Sequence, residues 1–164
     1  MKYVPHGYQA YATERIITQT ACGLFLEMGM GKTAATLTAV AELLHDRFDV
    51  ARVLVIAPLR VAEDTWSREC GKWDHLRYLR VAKILGAEKE RIRAVNTPAD
   101  LYVINRENVE WLVDYFGKNW PYDMVVIDEL SSFKSAQAKR FKSLRKVRRL
   151  VSRASSATLA SSTH

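Results

Sequence analysis

Short apolar runs that alternate with segments of helical polarity leave this chain few ways to fold. "ARVLVIAP" (51–58) is nearly continuous and apolar, the pattern of a strand buried on both faces of a parallel sheet, and "VAEDTWSRECGKW" follows it with helical polarity. "RYLRVAKI" (77–84) precedes the charged helix candidate "GAEKERIRAV", "DLYVINRE" (100–107) precedes the helix candidate "NVEWLVDYFG", and "YDMVVIDE" (122–129) is a further strand. Repeated β-α order predicts an α/β fold with a mostly parallel sheet and helices on both faces. In such sheets ligands bind beyond the carboxyl ends of the strands, which gathers distant pieces of sequence into one place.

One of those places is the stretch "FLEMGMGKTAA" (25–35), with strand-like "CGLFL" before it and helix-like "AATLTAVAELLHD" after it. Gly29 and Gly31 permit a tight loop of inward-pointing N–H groups, Lys32 adds a cation, and the following helix offers its unpaired N-terminal donors. The ligand implied is phosphate, with the Thr33 hydroxyl available to magnesium. Compared with the pattern G-x-x-x-x-G-K-[ST], the final "GKT" is intact while Leu26 occupies the first glycine position.

Asp128 and Glu129 close the best strand, where a phosphate-binding protein needs a carboxylate to hold the magnesium of Mg–ATP and a neighbour to orient the attacking water. ATP and Mg2+ are therefore the expected cofactors. Asp128 and Thr33 are the expected metal ligands, and Lys32, Asp128 and Glu129 the expected catalytic set.

At 164 residues the chain suits one domain, and 48% hydrophobic with 26% charged residues is an ordinary globular composition. "MKYVPHGYQAYATE" lacks the apolar core of a signal peptide and no run reaches a membrane span, so an intracellular protein is expected, cytoplasmic if bacterial or phage-derived. Cys22 and Cys70 form neither a zinc pattern nor a disulfide framework. The net charge of +7 is local: residues 134–164 carry nine Lys and Arg with no acid, leaving 16 basic against 18 acidic residues in 1–133. Such a run attracts polyanions such as a DNA backbone, and is equally what a solvated helix looks like.

Four segments taken in order resemble the helicase superfamily two ATPases, specifically the Swi/Snf-type DNA translocases and their phage or prophage relatives: "GYQAYATERI" (7–16), "EMGMGKT" (27–33), "VLVIAPLRVAEDTWSRE" (53–69) and "MVVIDELSSFK" (124–134). The resemblance implies the N-terminal RecA-like lobe of an ATPase over 1–150, a three-layer P-loop domain. It assigns Gln9 to adenine, Lys32 to the β- and γ-phosphates, Thr33 and Asp128 to magnesium and Glu129 to catalysis, with Gly29 and Gly31 shaping the loop. Pro58 falls in the family's first DNA-contacting motif, and Trp66 and Glu69 match its "W-x-x-E", Trp66 being expected to pack the helix against the sheet. Tyr8 and Tyr11 are candidates to flank adenine, and Asn105, Arg106 and Lys134 candidates to touch nucleic acid.

The chain departs from the family at Ser131, where D-E-x-H has histidine, and at "VSRASSATLASSTH" (151–164), read as a weakly patterned, disordered or truncated tail. The expected assembly is thus a single incomplete ATPase lobe, binding ATP or ADP and double-stranded DNA, lacking the C-terminal lobe and deficient in hydrolysis on its own, with no membrane partner. The alternatives are a non-hydrolysing DNA-binding or interaction protein derived from the lobe, and a self-contained P-loop phosphotransferase.

Overall fold

The computed structural model describes residues 1–18, 21–26, 31–128 and 153–159, with backbone only at 18, 21–26 and 153–159. Six strands form one sheet: β1 (Ala21–Leu26), β2 (Val53–Ala57), β3 (Val81–Ile84), β4 (Leu101–Asn105), β5 (Met124–Asp128) and β6 (Arg153–Leu159). Their order is β1-β6-β5-β2-β4-β3, and every pairing is parallel. α1 (Gly7–Thr18) precedes β1, and between the strands run α2 (Lys32–Ala41), α3 (Trp66–Lys72), α4 (Glu88–Val95) and α5 (Val109–Phe116).

The side-chain alternation of β2 explains the three layers. Val53, Val55 and Ala57 join Ala12, Ile16, Leu37, Val40 and Trp66 in one core, while Leu54 and Ile56 join Val95, Val109, Leu112 and Val113 in the other. All five β2 residues are fully buried, as the unbroken apolar run requires of a strand covered on both faces. Polar contacts then fix the strand ends: the Asp123 carboxylate accepts from the N–H groups of Ala51 and Arg52 at 2.8 and 3.0 Å, tying the start of β2 to that of β5.

Two expectations change. Residues 153–159 are not a loose tail but the strand β6, hydrogen-bonded between β1 and β5. A run of Ser, Ala and Thr has no apolar signature, and its place comes from two ladders made with distant strands. The helix expected after β2 begins as a π-helical turn (Val61–Thr65) and becomes α-helical only at Trp66. Cys70 is a buried free thiol that burial pushes up to about 11, an unreactive core residue.

Candidate functional site

Because all six strands run in one direction, the carboxyl ends of β1 and β5 lie on the same side of the sheet, and Lys32, at the start of α2, meets the last residue of β5. Gly31 is the N-cap of α2 and has φ 70°, the left-handed conformation that glycine tolerates best. Among the described residues no side chain caps α2, and its first-turn N–H groups carry the partial positive charge that suits an anion. Lys32, the first residue of the helix, reaches across to β5: its Nζ lies 2.7 Å from Asp128 Oδ1, with side-chain exposures of 14% and 3%. The other oxygen, Asp128 Oδ2, accepts from Trp66 Nε1 at 3.3 Å.

Gln9 approaches from α1 and is buried. Its Nε2 donates to the Gly31 carbonyl at 3.1 Å and its Oε1 accepts from the His6 N–H at 2.9 Å. A second link ties the same helices, the Thr13 hydroxyl donating to the Ala35 carbonyl at 2.9 Å. Space behind Gly31 is so limited that an added Cβ would collide with the Gln9 amide.

Gly31→Ala therefore carries two costs: about 1–2 kcal/mol for a left-handed non-glycine residue, and the loss of the Gln9 Nε2 hydrogen bond, worth about 1 kcal/mol. Urea unfolding is expected to register a loss of about 2–3 kcal/mol, shrinking to the backbone share in a Gln9→Ala background. An equal penalty in both backgrounds would rule out the contact with Gln9.

The structure thus brings Gln9, Gly31, Lys32 and Asp128 together, with Thr33 in the first turn of α2. Gly29 and Glu129 lie outside the described residues, as do Ser131, Lys134 and the basic run up to Arg149. Asn105 and Arg106 are 7% and 8% exposed, and Asn105 is engaged by Glu107 and Asn108, which does not suit them to gripping a DNA strand. Tyr8 and Tyr11 are exposed, at 37% and 62%. Sequence reasoning missed the polar role of Trp66. Its helical spacing identifies a buried face, but the partner of its N–H, Asp128, is on the distant strand β5.

Among the described residues no group of three or more His, Cys, Asp or Glu converges on a metal position. A hard cation held by one carboxylate, one hydroxyl and the oxygens of its own phosphate ligand needs no such cage, and Asp128 and Thr33 suit that donor set.

The SNF2-related domain family matches residues 10–154. The chain belongs to that family. Protein p41 of Acyrthosiphon pisum secondary endosymbiont phage 1 is 40% identical over 139 residues, which are 84% of this chain and 30% of that protein. Among solved structures, the SWI2/SNF2 ATPase core of Sulfolobus solfataricus in complex with double-stranded DNA aligns with TM-score 0.78 at 22% identity, covering 98% of this chain and 33% of that one. The UvsW helicase of bacteriophage T4 aligns with TM-score 0.68 at 14% identity, covering 95% and 52%. The SNF2-related chain therefore spans about a third of the phage relative and has the RecA-like α/β fold of an SNF2 ATPase core. Among its described residues no helix is long and apolar enough to cross a membrane.

Proposed function

We propose that this chain is the nucleotide-binding lobe of an ATP-dependent double-stranded DNA translocase, with the nucleotide held between the loop before α2 and the end of β5. The observation that carries the reading is the part-buried Lys32–Asp128 pair beside a left-handed glycine and a helix N-terminus that has no side-chain cap among the described residues. A cation and a carboxylate shielded together need a reason, because desolvating both is costly and a buried ion pair is a poor source of stability. ATP with Mg2+ supplies one, since each partner then finds an opposite charge.

In that reading Lys32 turns from Asp128 to the β- and γ-phosphates, the first-turn N–H groups of α2 and the loop containing Gly29 cradle phosphate oxygens, and Asp128 with Thr33 holds the magnesium. Glu129 orients the attacking water. Gln9 reads adenine by exchanging or sharing its contacts with His6 and Gly31. The double-stranded DNA partner is supported by the family and by the basic run 134–153. Hydrolysis by these 164 residues alone is proposed to be deficient, the family resemblance placing the remaining catalytic arginines in a second lobe.

Fluorescence titration of ATP, ADP and GTP with magnesium tests the site. Loss of a desolvated charge–phosphate contact in Lys32→Ala is expected to weaken ATP and ADP by about 30- to 150-fold, or roughly 2–3 kcal/mol. Undiminished binding by that variant would reject the phosphate role, and equal affinity of wild type for ATP and GTP would reject adenine reading by Gln9.

A further inference from the structure

We infer that Trp66 is a positioning residue for Asp128: its indole N–H holds one carboxylate oxygen so that the other is presented to Lys32 and to the metal. The inference rests on the nucleotide reading above. Two donors divide the carboxylate, Lys32 Nζ taking Oδ1 at 2.7 Å and Trp66 Nε1 taking Oδ2 at 3.3 Å. Trp66 and Asp128 are 1% and 2% exposed, so water cannot substitute freely for either partner. An indole has a single donor and no acceptor, which makes the contact one-directional.

The two donors differ in what happens when nucleotide arrives. Lys32 has a phosphate to move to and carries its charge with it. Trp66 is neutral, fixed in the core among Ala62, Cys70 and Val126, and has no reason to follow. It thus keeps the buried carboxylate in one rotamer while the cation beside it changes. Without an N–H at that point Asp128 would lose the donor that the described residues give this buried oxygen and gain freedom to rotate, at the moment when a metal requires it to face the other way.

Local backbone geometry supports a dedicated role. Trp66 is the first residue of α3, directly after the π-helical turn Val61–Thr65. A π turn adds a residue relative to an α-helix and so shifts the facing of everything after it by roughly 100°. Its removal would carry the indole away from β5. Packing alone could be served by several large apolar residues near this azimuth, whereas a donor at Asp128 depends on this register.

The experiment measures binding, not turnover. ADP affinity is determined first in EDTA, and magnesium is then titrated onto the ADP-loaded protein for wild type, Trp66→Phe, and a protein with benzothienylalanine at position 66. The last keeps the bicyclic shape and exchanges N–H for sulfur, so it remains informative if phenylalanine leaves the core unfolded. The expected result is metal-free ADP affinity within about twofold of wild type and a magnesium requirement raised about tenfold in the variants that fold, the low end of what outer partners of metal ligands contribute. An unchanged magnesium requirement in the benzothienylalanine protein overturns the positioning role and leaves the nucleotide reading standing. Failure of wild type to bind ADP overturns the nucleotide reading, and the positioning role with it.

Discussion

A phosphate-release assay on residues 1–164 alone is expected to return turnover about 10³- to 10⁵-fold below that of a parent extended through a second ATPase lobe, with or without double-stranded DNA. Phosphoryl transfer is catalysed by charge placed around the transferring group, and cations on the far side of the nucleotide supply a large share of it. Among the described residues, Lys32 is the cation paired with Asp128 at the carboxyl edge of the sheet. The SNF2-related relatives are much longer than this chain, which spans 33% of the aligned Sulfolobus solfataricus ATPase core. Binding is expected to survive where hydrolysis nearly disappears. Glu129→Gln serves as the control in both proteins. Robust Glu129-dependent turnover by the 164 residues would overturn the incomplete-site proposal and favour a self-contained phosphotransferase; activity confined to the extended parent would support the translocase lobe.

Without any nucleotide, Lys32→Ala is expected to lower the unfolding free energy by about 3 kcal/mol, the low end for breaking a buried ion pair, because the lysine retains some contact with solvent. The loss is not the worth of the contact. It is chiefly the cost of an uncompensated carboxylate that is 2% exposed and, among the described residues, keeps the Trp66 N–H as its hydrogen-bond donor. The double variant Lys32→Ala/Asp128→Asn is therefore expected to regain most of the stability, since a neutral amide oxygen still accepts from Trp66. Equilibrium urea unfolding of both variants and Asp128→Asn closes the cycle. A double variant no more stable than Lys32→Ala would show that the charge of Asp128 is not what the lysine offsets.

What could be read in advance divides by distance along the chain. β2, β4 and β5 are visible as apolar runs because a strand covered on both faces carries its own signature. The turn at Gly31 is visible because "GKT" after a strand demands a residue that accepts positive φ. Trp66 was legible only as a buried face, its indole partner lying 62 positions away. Gln9 is assigned to adenine only through the family resemblance, and the structure engages both ends of its amide internally. β6 was not legible at all. "RASSATL" has neither an apolar run nor alternation, and its strand character is a property of β1 and β5 as much as of itself.

The position of β6 also sets an order of assembly. Ala21 pairs with Ala154 and not with any strand made soon after it, while Val53 pairs with Leu101 and Met124. During synthesis the strands β3, β4, β2 and β5 can pair with one another before β6 emerges, yet β1 must wait for residues 153–159. Closing so long a loop is slow, and until it closes the edge of β5 that receives β6 stands open to wrong partners. The segment proposed to bind phosphate follows β1 in the sequence. The proposed nucleotide site therefore becomes whole only after β6 has inserted between β1 and β5.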